Sequence, residues 1–441
     1  MKNKGNLLNA IKELKADKNN AVAHIYSEIE AKQDGCLKDC VFTIKDNYAD
    51  LNVKASASSL ILNNFYPQYE ATVLKLLRNA GAISVARTHL DEFGLGGSGT
   101  YSAYGVIKNP LNNEYYVGGS SSGAAATFTK NISFAIGSDT GDSVRKPASN
   151  IGVVGFKPSY GAISRYGLYS FATSLDTVAY FTHNVSDCIE LSSVLYQQDL
   201  QHDLTSIDLS FDLSTIKEVK PKRVGYFKVD KHLSDDVVKA YNNLLNKLKS
   251  ENIELIEIEQ DENILKSVNV VYAIISFSEA SSNLANLTGV NFGNRHEGVN
   301  WEETYKLTRS NGLGKMVQSR LILGSYFLEQ ENQIKYFVKA KKMRRVISDY
   351  FKKIHSDVDL LIFPASSDCA PKFNHEYNGG YWDYILTAAN LTGNPSMTMK
   401  LGQSIVDSMP FNITLETNLY QDKDLFSYAL YIEKLLGGIN D

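Results

Sequence analysis

Gly118–Arg145 reads GGSSSGAAATFTKNISFAIGSDTGDSVR. Its two glycine-rich turns each present a serine, Ser120 and Ser143, 23 positions apart. Working upstream, VFTIKDN holds a lysine, Lys45, at the end of an apolar run. No histidine occurs between His89 and His183. A serine nucleophile needs a base, and histidine is missing from this whole region. A lysine desolvated in an apolar pocket can serve, because burial disfavours its charged form and leaves a free amine. Ser-Lys sets are an accepted variant of the serine triad.

The apolar spacing around this stretch predicts alternating strands and helices. CVFTIKDN reads as a strand entering a turn, ATVLKLLRNAG as a helix closed by Gly81, and AISVART as the next strand. GAAATFTK starts a helix after its glycines, and ISFAIGSD is a β-rich run. LLNAIKEL and AVAHIYSEI, near the start, both space apolar residues at helical intervals. Residues 1–35 are therefore expected to be a helical segment preceding a domain over 36–441. After about residue 190 comes a polar, irregular excursion. KRVGYF, DDVVKAYNNLLNKLKS and IELIEIE then resume as strand, helix and strand. KYFVKAKKMRRVISDYFKKI reads as a long helix leading into the strand DLLIFP. The pattern predicts one large α/β domain.

The chain has 441 residues, 43% hydrophobic and 21% charged, with a formal net charge of −4. That balance gives no global basic field for wrapping nucleic acid. The four cysteines, Cys36, Cys40, Cys188 and Cys369, are too scattered for a disulfide scaffold or a zinc site. They read as reduced thiols in a cytoplasmic setting. MKNKGNLLNAIKELKADKNN holds no long apolar run, so neither a signal peptide nor an anchor is expected. No stretch approaches the roughly 20 apolar residues of a membrane span.

Two other motifs compete. Gly94–Gly99 matches G-x-G-x-x-G, but no long helix can follow it in SAYGVIKNP, so a surface loop is the better reading. Gly119–Gly123 matches the nucleophile elbow G-x-S-x-G with Ser121 at its centre. That reading needs a later acid and histidine, for which Asp368 and His375 are candidates. Ser143 offers a third reading. It follows Gly137, Thr140 and Gly141 at the end of an apolar run, in a loop able to turn backbone N–H groups toward an oxyanion. An ordinary Gly/Ser turn is the bland reading of that loop taken alone.

Four features coincide in order and spacing: IKDN, GGSSSG, GSDTGDS and GFKPSYG. Together they resemble the amidase signature family. The run from Val41 through Asp187 is similar throughout to the branch of glutamyl-tRNA(Gln)/aspartyl-tRNA(Asn) amidotransferase A subunits. ISFSEASSNLANLTGVNFG, LTRSNGLGKMVQSRLILGS and WDYILTAANLTGNPS carry the likeness further. The start of the chain and the stretch after Ser396 match poorly. The resemblance implies a mixed, mostly buried sheet flanked by helices. It implies Ser143 as the acyl-forming nucleophile, Ser120 as a cis-peptide serine that relays the proton, and Lys45 as a base with no acidic partner. The backbone of Thr140, Gly141, Asp142 and Ser143 would supply oxyanion donors. Arg320 would bind the glutamine α-carboxylate and Asp383 its α-ammonium, with Tyr272 in the same pocket. No cofactor is implied in this chain. ATP and Mg would be used on a partner, with subunits B and C completing the assembly and Glu-tRNA(Gln) held mainly by the partner.

The sequence departs from the family pattern in three places. Asp142 stands where a second glycine is expected, Ser122 replaces another, and the segment between the serines is one residue short. A carboxylate at Asp142 would oppose a developing oxyanion. Two alternatives therefore stay open: a stand-alone amidase for small amides, and a non-catalytic scaffold subunit. Lys339, Lys341, Lys342, Arg344 and Arg345 form a basic cluster that reads as a solvated helix face rather than a tRNA contact.

Overall fold

The computed structural model describes residues 1–27, 34–374 and 380–437. Its organising element is one 11-stranded sheet. The strands are β1 Val22–Ile25, β2 Val41–Lys45, β3 Ile83–Thr88, β4 Phe134–Asp139, β5 Val154–Lys157 and β6 Thr177–Thr182. They continue as β7 Arg223–Tyr226, β8 Glu254–Glu257, β9 Leu360–Pro364, β10 Ser396–Gln403 and β11 Pro410–Glu416. Their order across the sheet is β1-β3-β2-β4-β6-β5-β10-β11-β9-β7-β8. β2 runs parallel to β3 and β4, and β7 parallel to β8 and β9. The remaining pairings are antiparallel, so the sheet is mixed, as the resemblance implies.

Every residue of β2, β4 and β6 is buried. Central strands covered on both faces read as continuous apolar runs rather than alternating ones, which is how VFTIK and FAIGSD look in the sequence. The period of two still sorts their side chains onto opposite faces. Phe42, Ile44, Phe134, Ile136, Val178 and Tyr180 belong to the larger core. Val41, Ala135, Ala179 and Phe181 belong to a second core on the other face, with Ala124 and Ala125 of the short helix Ser122–Ala126. Lys45 has the parity of Val41, so it starts from the face that this short helix covers.

The helix expected over LLNAIKEL is present as Leu7–Lys15, with the Asn6 side chain capping the Asn9 N–H. The second expected N-terminal helix is not. AVAHI forms β1, paired antiparallel with β3. Its four residues also satisfy an edge strand's one-sided burial, and hydrogen bonding to β3 decides between the two periods. Glu28 and Ile29, which end that expected helix, lie outside the described residues. Thr72–Asn79, Asp235–Ser250 and Lys339–Asp357 confirm the other expected helices. Gly81 closes the first of these at φ +91°, a left-handed conformation that glycine adopts without a Cβ clash.

Candidate active site

β2 and β4 are parallel, so their carboxyl ends reach the same sheet edge. There Lys45 ends one strand, and Ser138 and Asp139 end the other. The turn Gly118–Ser121 enters the helix Ser122–Ala126 from the same side. Lys45 Nζ donates to Ser120 Oγ at 2.8 Å and to Ser138 Oγ at 2.9 Å. The Gly119–Ser120 peptide is cis. A Cβ on Gly119 would lie 2.2 Å from Asp91 Oδ2, so the turn needs glycine to pass that carboxylate.

Lys45 is fully buried, and burial pushes its ammonium down to about 7. The carboxylates of Asp91, Asp139 and Asp176 act the other way. Three carboxylates thus lie near enough to oppose the shift, and desolvation outweighs them. None of the three accepts a hydrogen bond from the amine.

Ser143 lies between β4 and the helix Arg145–Ile151. Its carbonyl accepts the Ser121 N–H at 3.1 Å, which ties the two serine turns together. The Ser143 hydroxyl makes no hydrogen bond with the described residues. The N–H groups of Gly141, Asp142 and Ser143 likewise meet no acceptor among the described residues. Buried backbone donors are nearly always paired, so three unpaired in succession mark a place for an anionic oxygen.

Buried charge holds this loop in shape. Arg145 and Asp139 pair at 2.9 Å, both fully buried. Asp139 Oδ2 accepts the Val144 N–H at 3.0 Å. Arg145 also donates to the Gly141 carbonyl at 2.8 Å, the Leu386 carbonyl at 2.7 Å, Asn390 Oδ1 at 2.7 Å and Ser396 Oγ at 3.1 Å. The Thr140 hydroxyl donates to Asp176 Oδ1 at 2.7 Å, a carboxyl that burial pushes up to about 6.

Above the loop opens a cavity of about 560 Å³ lined by Gly141, Asp142, Lys146, Tyr272, Arg320 and Asp383, among others. The three expected substrate residues thus share one wall system with the loop, although they lie far apart in sequence. The Arg320 guanidinium sits 5.0 Å from the centre of the Phe277 ring. Asp383 Oδ1 accepts the Ser367 N–H at 3.1 Å and the Ser367 hydroxyl at 2.8 Å. A Cβ on Gly141 would lie 3.0 Å from Tyr272 Cζ, so the tyrosine closes directly over the loop. Burial holds the Tyr272 phenol well above its ordinary range.

The competing motifs dissolve in this geometry. Gly94–Gly99 is a loop around Asp91, which accepts the N–H groups of Ser98, Gly99 and Tyr101. The Ser121 hydroxyl is engaged with the Ser138 backbone, donating to its carbonyl at 3.2 Å. Asp368 pairs with Ser234, and His375 lies outside the described residues. Sequence reasoning missed Ser138, Lys146, Asn390 and Glu92. Buried Glu92 accepts from Ser59 and from the Gly314 N–H, which ties the Asp91 loop to the start of the helix carrying Arg320. Only Glu92 had a signal, an acid inside the apolar run LDEFGL. Within the basic cluster, Arg345 is solvated, but Arg344 turns inward to the Leu391 carbonyl and Ser174.

With this geometry established, comparison with known proteins is direct. A family profile described as Amidase matches residues 2–426. The chain belongs to the amidase family. The match takes in the start of the chain and most of the stretch after Ser396, where the sequence resemblance was poor. Among relatives of this amidase, the A subunit of glutamyl-tRNA(Gln) amidotransferase from Mycoplasma genitalium is 37% identical over 93% of this chain and 89% of its own length. The protein of the same name from Aliarcobacter butzleri is 36% identical over 89% of this chain and 87% of its own. The crystal structure of the corresponding Thermotoga maritima protein superposes with a TM-score of 0.80 at 29% identity. It covers 98% of this chain and 90% of that one. Among the described residues no helix is long and apolar enough to cross a membrane.

Proposed function

We propose that this amidase is the glutamine-hydrolysing subunit of a tRNA-dependent amidotransferase. The observation that carries the reading is the buried Lys45 amine, hydrogen-bonded to Ser120 beside a Ser143 loop whose N–H groups stand unpaired. Ser143 attacks the side-chain amide of glutamine. Lys45 takes the serine proton through Ser120 and later returns it to the departing ammonia. Gly141, Asp142 and Ser143 N–H groups, with Thr140 beginning their loop, stabilise the tetrahedral oxyanion. Arg320 and Asp383 face the α-groups of glutamine, and Tyr272 covers the reacting centre. Water then cleaves the acyl-enzyme, giving glutamate.

Ammonia passes to a partner subunit that activates Glu-tRNA(Gln) with ATP and Mg. Two partners, subunits B and C, complete a cytoplasmic assembly. The relatives named above support this reading over a stand-alone amidase. The test is reaction of the full chain with a glutamine-mimicking electrophile, with peptide mapping of the adduct. Label at Ser143, lost in Ser143→Ala, is expected. Label at Ser121 restores the elbow reading, and absence of any adduct favours the scaffold.

A further inference from the structure

Two helices meet at Leu313 and Gly314. One spans Trp301–Gly312, and the next, Lys315–Leu328, carries Met316 and Arg320 into the cavity wall. Such a joint leaves carbonyls at the end of one helix and N–H groups at the start of the other without helical partners. Here two of them are met by side chains from a distant segment. The Gly312 carbonyl faces the Ser59 hydroxyl at 3.2 Å, and the Gly314 N–H donates to Glu92 Oε2 at 2.8 Å. Ser59 Oγ in turn bonds Glu92 Oε1. Ser59 and Glu92 are buried. A Cβ on Gly314 would lie 2.5 Å from Glu92 Oε2, so glycine lets the joint close onto the carboxyl. A serine hydroxyl has one proton and a carboxylate has none. With Glu92 ionised, Ser59 gives its proton to the carboxylate and the Gly312 carbonyl loses that donor. With Glu92 protonated, Glu92 donates to Ser59 and Ser59 donates to the Gly312 carbonyl. The other carboxyl oxygen still accepts the Gly314 N–H, so all the links hold at once.

We propose that Glu92 is a positioning residue that works as the neutral acid, clamping the helix joint together with Ser59 and so fixing where Arg320 meets the carboxylate of the substrate. This deepens the glutamine reading and rests on it. The clamp is rooted beside the catalytic serines, since the Asp91 N–H donates to the Ser120 carbonyl at 3.3 Å. Asp91 has its own hold on that loop through the N–H groups of Ser98, Gly99 and Tyr101, so the serine turns do not depend on Glu92. Burial favours the neutral acid and pushes the carboxyl up to about 7, against the Ser59 and Gly314 hydrogen bonds. The Tyr104 phenol is the titratable group that feels the charge of Glu92, and no cation pairs with Glu92 among the described residues. The full clamp is therefore present below about 7 and loosens as pH rises through that value.

The experiment measures L-glutamine binding by calorimetry on the full chain carrying Ser143→Ala, which prevents turnover. In the chain that keeps Ser143, labelling of that serine by a small sulfonyl fluoride, which has no α-groups, reports on the catalytic half alone. Glu92→Ala is expected to weaken L-glutamine about tenfold and to leave the labelling rate within about twofold. Glu92→Gln should bind L-glutamine within about twofold of the parent, because its amide also accepts from Gly314 and donates to Ser59. The parent's affinity should fall as pH rises through about 7, and that of Glu92→Gln should be flat there. A loss in Glu92→Gln as large as in Glu92→Ala would make the carboxylate the working group and overturn the proposal. Unchanged binding in Glu92→Ala, or equal losses of binding and labelling, would overturn it too. Each of these outcomes leaves the glutamine reading intact. If the parent binds no L-glutamine, that reading falls and takes this proposal with it.

Discussion

At the scale of single residues, the proposed mechanism makes Lys45 set the pH behaviour of the site. In that mechanism it acts only as a free amine, and burial lowers its pKa to about 7. Below that value the amine is protonated and cannot accept the Ser143 proton. The rate of acyl-enzyme formation should therefore rise with pH through about 7 and level off above it, as measured by single-turnover labelling. Lys45→Arg should be as inactive as Lys45→Ala, because arginine keeps its proton. An Arg variant with substantial turnover would remove Lys45 from the role of base. Lys45, Ser120 and Ser143 stood out in the sequence for a physical reason, while the roles proposed for them came from the family resemblance. A cation in an otherwise apolar strand and serines between glycines are locally anomalous. Ser138 was not legible, because one more hydroxyl in GSD looks like any other until the β2–β4 register brings it to the amine.

At the scale of elements, the decisive device is the Arg145–Asp139 pair at the start of the helix Arg145–Ile151. Removing one partner of a fully buried pair strands the other's charge, which costs about 3–5 kcal/mol. Arg145→Ala should lose roughly that much stability in chemical denaturation. A loss within surface-substitution range, about 0.5 kcal/mol, would mean that the pair does not hold the loop. The partners of Arg145 could not be read from sequence. Leu386, Asn390 and Ser396 lie 241 to 251 positions away, and only the assembled sheet brings them near. β1 marks the opposite limit. Four residues fit both periods, and tertiary pairing with β3 chose the strand.

At the scale of the whole molecule, the order of the chain and the order of the sheet disagree. Lys45, Ser120 and Ser143 all fall within the first third of the sequence. Yet β5 borders β10, and the guanidinium that shapes the Ser143 loop is filled by the segment 386–396. A ribosome-bound chain therefore carries Lys45, Ser120 and Ser143 long before the residues that hold Arg145 exist. The nascent protein should accordingly be chemically silent until the segment 386–396 has emerged. Fragments released early should be equally silent. A chain ending before Ala388 should fail to react with the electrophile at Ser143, and adding the missing piece in trans should restore labelling only to the extent that it completes the β5–β10 pairing. Full reactivity in the truncated chain would show that the loop is formed by its own residues alone.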